Sequence, residues 1–257
     1  MKPLHFLDPN PEGRPAVLLL HGLGADASSW TLQMPALTEA GFRPIAPDVP
    51  GFGASPYDGH GWNIKRMAAE MADLLQRLGS VPAHVVGLSM GGIIAQQFAL
   101  DTPALIRKLV LVSTFAVLLP DALNGWLYFL QRFILVNTLG LSVQAQTVAR
   151  HIFPDPDKAP FREMLVDTIS RADPRAYRRA MTCLGLFNSV HHLGEIKAPT
   201  LVVTGEEDST VPPDRQYLLL KGIPDARQVR IPDAGHAAPI DQPEIFNRKL
   251  LEFLREE

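Results

Sequence analysis

HVVGLSMGGIIAQ, residues 84–96, sets a serine between a short apolar burst and a longer apolar-rich run. The burst has the character of a buried strand and the run that of a helix, so the serine falls at a strand-to-helix joint. Serine often caps helices at such joints, but a cap does not explain the glycines. Gly87 and Gly91 stand two before and two after Ser89, giving G-x-S-x-G with Gly92 next. Glycines so placed let backbone pass close to backbone, and the central residue can then occupy a very tight turn.

Outward from this joint the chain alternates strand and helix signals. PAVLLL (15–20) runs into HGLG, RPIAPD (43–48) into PGFGASP, KLVLVS (108–113) follows the first helix after Ser89, and TLVVTG (200–205) and RQVRIP (227–232) come late. Ser29 to Ala40 reads as a helix ended by Gly41. Asn63 caps a second helix, whose apolar residues recur at Ile64, Met67, Met71, Leu74, Leu75 and Leu78. Further helices span Met90–Leu100 and about Pro243–Leu254. Strands apolar on both faces and separated by helices imply an α/β fold with a mostly parallel, doubly wound sheet of about seven strands. Residues 115–197 read as helical without strand alternation, a cap inserted over a core formed by 1–114 and 198–257.

Composition narrows the function classes. The chain has 257 residues, 46% hydrophobic and 20% charged, an ordinary globular balance with a formal charge of −3. No basic stripe with interleaved aromatics points to nucleic acid. FAVLLPDALNGWLYFLQRFILVNTLGL (115–141) is interrupted by Pro120, Asp121, Asn124, Gly125, Gln131 and Arg132, too often for a membrane span of about 20 apolar residues. The N-terminal residues hold no apolar core of signal-peptide length, so the expectation is a cytoplasmic protein with no membrane partner. A single cysteine, Cys183, rules out an intrachain disulfide and reads as a small core residue. The pair His191-His192 has no further ligand at metal-like spacing, so no metal and no cofactor is expected.

Three polar residues follow the ends of these strands: Ser89, Asp208 and His236. An alcohol near neutral pH is a weak nucleophile and needs a base, for which histidine is suited. The histidine needs a carboxylate to fix its tautomer and stabilise the imidazolium. Each has a plainer alternative: Asp208 as a helix cap, Glu206 or Glu207 as the acid, His236 as a loop histidine. Met90 N–H, at the start of a helix, is free to meet an oxyanion, and Leu23 N–H in HGLG is the expected second donor. His21 reads as the residue that holds that loop.

The chain resembles the α/β-hydrolase superfamily, in particular the serine carboxylesterase and enol-lactonase-like group with a helical cap. The resemblance rests on His21-Gly22-Leu23-Gly24, Asp48-Val49-Pro50-Gly51-Phe52-Gly53-Ala54-Ser55, Gly87 to Gly92, Gly205-Glu206-Glu207-Asp208 with Pro212, and Gly235-His236. It spans about residues 14–254, and only about fourteen residues precede the first core strand, leaving room for one strand before it. The resemblance implies a serine hydrolase of carboxylic esters working through an acyl-enzyme. It implies equally an enol-lactonase, a carbon–carbon bond hydrolase or a cofactor-free perhydrolase on the same residues. A ligand-binding protein without turnover is the reading from another class. Bulky residues of the cap, among them Trp126, Phe129, Phe133 and Leu186, are expected to line an apolar pocket for a small ester of short to medium acyl chain. Arg132 and Arg150 are the candidates for binding a substrate carboxylate instead.

Overall fold

A computed structural model describes residues 3–118, 123–138 and 140–256, with Leu123 to Trp126, Tyr128, Phe129 and Asp214 described by backbone alone. Seven strands form one sheet: β1 (Phe6–Leu7), β2 (Ala16–Leu20), β3 (Arg43–Pro47), β4 (Ala83–Leu88), β5 (Ile106–Val112), β6 (Thr200–Gly205) and β7 (Ala226–Ile231). Their spatial order is β1-β3-β2-β4-β5-β6-β7. Only β1 runs antiparallel, pairing Phe6 with Pro47. The rest is parallel, with Leu20 opposite Gly87 and Gly87 opposite Leu111 at the end that carries Ser89.

Alternation along the strands divides the core in two. Leu18, Leu20, Val85, Leu109 and Leu111 face α2 (Ile64–Arg77) and α3 (Met90–Asp101). Val17, Leu19, Val86, Val110 and Val112 face the opposite layer, where Trp30, Leu37, Phe246 and Leu250 pack. Leu37 belongs to α1 (Met34–Glu39), Phe246 and Leu250 to α10 (Pro243–Arg255), and Trp30 to the turn before α1. Because both faces are covered, all five residues of β2 are buried.

Local chemistry sets most boundaries. Asn63 caps α2 by accepting the Arg66 N–H at 2.9 Å, and Gly79 follows the helix at φ 60. The helix expected over Ser29–Ala40 is instead a 3-10 turn, Ala27–Trp30, then α1 from Met34. Asp26 caps the turn. Pro35 lacks an N–H and is tolerated only in the first turn of a helix, so the helix starts beside it.

Between β5 and β6 the chain is helical: α4 (Leu123–Thr138), α5 (Leu141–Ile152), α6 (Ala159–Arg171) and α7 (Pro174–Leu186). The segments leaving and returning meet in an antiparallel bridge, Val117 to Asn188. After β6 come α8 (Pro213–Gly222) and, past β7, the short α9 (Ala238–Asp241). No helix among the described residues is long and apolar enough to cross a membrane.

Candidate active site

The joint between β4 and α3 is a strained elbow. Ser89 has φ 53 and ψ −111, and its side chain makes no capping bond. The plain reading of Ser89 as a helix cap therefore fails, and its hydroxyl remains available. A Cβ on Gly87 would stand 2.3 Å from Gly91 O, and one on Gly91 would stand 2.1 Å from Leu20 O. No larger residue fits either position without moving backbone, which accounts for the spacing around the serine.

The acid and the histidine come from the turns after β6 and β7. Asp208 is 3% exposed and His236 is 7% exposed. Nδ1 of His236 lies 3.1 Å from Oδ2 and 3.2 Å from Oδ1 of Asp208. An ionised carboxylate only accepts, so Nδ1 donates to Asp208 and Nε2 is left outside this pair. Asp208 Oδ1 also accepts the N–H groups of Thr210 at 2.9 Å and Val211 at 2.8 Å, which fixes the carboxylate on its own turn. The helix that follows takes no side-chain cap from Asp208. Glu206 and Glu207 are exposed, and neither is paired with His236.

His21 is excluded as a base by its own bonds. Its Nδ1 donates to Gly22 O at 2.8 Å and its Nε2 accepts Val49 N–H at 3.0 Å, so both nitrogens are committed. Burial lowers its pKa below the ordinary histidine value and keeps the ring neutral. Asp48 anchors the next loop: its carboxylate accepts Ala27 N–H at 2.7 Å and Ala54 N–H at 2.8 Å, with His5 Nδ1 at 2.8 Å. Together these residues hold the HGLG loop beside the elbow. A Cβ on Gly22 would lie 3.7 Å from Ser89 Cβ. Leu23 borders the same space, and Met90 is the first residue of α3, where an N–H has no partner inside the helix.

Ser89 and His236 open into one cavity of about 490 Å³. Its walls are mostly apolar, with Phe115 and Val117 from the segment after β5, Val148 and Ile152 from α5, and Met181 and Leu184 from α7. Arg132, His151 and Arg215 are its basic members. Burial lowers the His151 pKa first, and Arg132 and His236 act in the same direction against Asp208.

The pocket residues expected from the sequence fare differently. The side chains of Trp126 and Phe129 lie outside the described residues. Phe133 is 42% exposed and Leu186 is 79% exposed, and neither borders the cavity. Helix periodicity gives the reason. Arg132 borders the cavity and Val136, one turn on, is buried, so Phe133 is rotated outward. Leu186 is the last residue of α7, whose buried stripe is Ala176, Tyr177, Ala180, Met181 and Leu184. Arg150, unlike Arg132, is exposed. The wall residues of α5 were within reach of the sequence, since Leu141, Ala145, Val148 and Ile152 recur at helical spacing.

The remaining candidates have other occupations. Cys183 is half-buried, its pKa raised by burial, and it remains a thiol. His192 Nδ1 lies 2.9 Å from Glu195 Oε1 on the surface. Among the described residues no group of three or more His, Cys, Asp or Glu could hold a metal ion.

Comparison with known proteins places the fold in a known family. Residues 15–243 match the family described as alpha/beta hydrolase fold. A Variovorax paradoxus protein bearing the name carbamate hydrolase RutD is 33% identical, covering 98% of this chain and 96% of its own. The 2-hydroxy-6-oxononadienedioate/2-hydroxy-6-oxononatrienedioate hydrolase of Burkholderia vietnamiensis is 32% identical, covering 98% and 91%. Among solved structures, a thermophilic esterase from Thermogutta terrifontis superposes with a TM-score of 0.85 at 30% identity, covering 98% of this chain and 93% of that one.

Proposed function

We propose a specific reaction for this chain, which belongs to the α/β-hydrolase family and is a hydrolase of that fold: hydrolysis of carboxylic esters of short to medium acyl chain through an acyl-enzyme. The observation that carries the reading is a serine on a strained elbow and a histidine paired with Asp208, with serine and histidine opening into one apolar cavity.

In the proposed cycle, Ser89 Oγ attacks the ester carbonyl while His236 Nε2 takes its proton. Asp208 holds the tautomer and stabilises the imidazolium. Charge on the former carbonyl oxygen is met by Met90 N–H and Leu23 N–H, a term for which one donor is typically worth about 3 kcal/mol. Collapse expels the alcohol, which leaves with the proton from His236. Water then attacks the acyl-enzyme by the same route, releasing the acid and restoring Ser89. The apolar wall receives the acyl chain, and each buried methylene contributes roughly 0.8 kcal/mol until the cavity is full.

A second reading is favoured by Arg132, which borders the cavity and could receive a carboxylate. In that reading the same residues open a lactone or cleave a carbon–carbon bond beside a carbonyl. The two are separated by turnover on a panel of p-nitrophenyl esters, enol-lactones, vinylogous diketones and aryl carbamates. Saturable hydrolysis of simple neutral esters supports the first reading. Turnover confined to the acidic lactones or diketones would overturn it in favour of the second.

A further inference from the structure

The carbonyl oxygen of Ser89 accepts a hydrogen bond from the Thr114 hydroxyl at 2.8 Å. Thr114 lies two residues past the end of β5 and is fully buried. On the other side of the serine, Ser89 N–H donates to Val112 O at 2.9 Å. Both peptide groups of the elbow residue are thus tied to the end of one neighbouring strand. Ser113, between the two clamps, has φ 46, a left-handed conformation that is strained in a residue with a Cβ. Gly92 completes the fit, because a Cβ there would stand 2.6 Å from the Cβ of Thr114. The glycine beyond the G-x-S-x-G spacing leaves the room that Thr114 fills.

The peptide unit held by Thr114 is the one joining Ser89 to Met90. It is planar and, when trans, points its C=O and N–H in opposite directions. A donor seated on the oxygen therefore fixes where the Met90 N–H points. The same oxygen accepts the N–H groups of Gly92 at 2.9 Å and Ile93 at 3.2 Å, so three donors draw charge toward it. Drawing charge toward the oxygen makes the N–H at the other end a stronger donor. We infer that Thr114 is a positioning residue for the oxyanion, aiming and polarising the Ser89–Met90 peptide whose N–H meets the charge that develops on the substrate. The inference rests on the serine-hydrolase reading above and on Met90 N–H as one of its two donors. Thr114 itself does not border the cavity.

The test compares Thr114→Val, which keeps the shape and removes the hydroxyl, with Thr114→Ser, which keeps the hydroxyl. Direct loss of an oxyanion donor costs about 100- to 1000-fold in kcat, and loss of a group that orients one should cost part of that, about tenfold or more. Thr114→Val is expected to lower kcat by that factor with KM little changed, and to weaken inhibition by an alkyl boronic acid in parallel. Thr114→Ser is expected to restore most of both. If Thr114→Val does not fold, Thr114→Ala against Thr114→Ser makes the same comparison. Wild-type kcat in folded Thr114→Val, or equal damage in the serine variant, overturns the inference. Should the wild type hydrolyse no ester yet react at Ser89 with a fluorophosphonate, only the ester reading fails, and the same comparison is made on the labelling rate. Absence of both turnover and labelling overturns the nucleophile assignment and this inference together.

Discussion

Gly205 and Gly235 meet backbone to backbone: a Cβ on Gly205 would stand 2.2 Å from the carbonyl oxygen of Gly235. The turn that carries Asp208 and the loop that carries His236 are therefore seated directly on each other, with Glu207 N–H donating to Ala234 O at 2.9 Å. That seat sets the 3.1 Å approach of His236 Nδ1 to Asp208.

Gly205→Ala forces the two turns apart, and such overpacking costs typically about 1–3 kcal/mol. The expected result is a lower denaturant midpoint together with a loss of kcat/KM measured where the variant is still fully folded. Unchanged activity in the folded variant would mean that the histidine does not depend on this contact.

Ser89, His236 and Asp208 should behave as one unit. Ser89→Ala and His236→Ala are each expected to remove ester turnover by several orders of magnitude, and the double variant should be no worse than either. Asp208→Asn should retain more activity than His236→Ala, and Glu207→Gln should resemble the wild type. Steady-state kinetics on a p-nitrophenyl ester checks all four. A silent Asp208→Asn beside an inactive Glu207→Gln would move the acid role to Glu207.

The size of the acyl group should be read by the cavity wall. Shortening Met181 or Leu184 to Ala is expected to move the optimum of a p-nitrophenyl ester series toward longer chains, because both border the cavity. Phe133→Ala and Leu186→Ala should leave the optimum where it is, since both side chains are exposed. A shift caused by either exposed residue, with none from Met181 or Leu184, would place the acyl chain elsewhere.

These contrasts mark what the sequence could and could not convey. Strand ends, the tight turn at Ser89 and the placement of Asp208 and His236 after β6 and β7 were legible because each depends on a few neighbouring residues. The run at 200–205, for example, coincides with β6. The start of α1 was misplaced because a single proline outweighed an otherwise helical pattern. Which face of α4 turns inward depends on the helices packed against it, so Phe133 and Arg132, adjacent in sequence, could not be told apart. The clamp of Thr114 on Ser89 joins residues twenty-five apart and has no local signature.

Stability should depend on pH through His84. Burial, with the charges of Lys108 and Arg107, lowers its pKa to about 4. Between that value and the ordinary histidine value near 6.5, the unfolded chain binds the proton and the folded one does not. Stability is therefore full above about pH 6.5 and declines as pH falls toward 4, by up to roughly 3 kcal/mol from this group. Buried His21 acts in the same sense. Urea midpoints at pH 7.5 and 5 should fall less in His84→Leu than in the wild type. An identical fall in both would show that His84 titrates alike in the folded and unfolded chains.

The proposed reaction depends first on Ser89 as the nucleophile. Stoichiometric reaction with a fluorophosphonate, mapped by peptide mass spectrometry and followed by residual ester turnover, tests it most directly. A single adduct per chain, on Ser89, is expected, with turnover lost in proportion to the modified fraction. Turnover that persists with Ser89 fully modified, or inactivation by an adduct on another residue while Ser89 stays free, would contradict it.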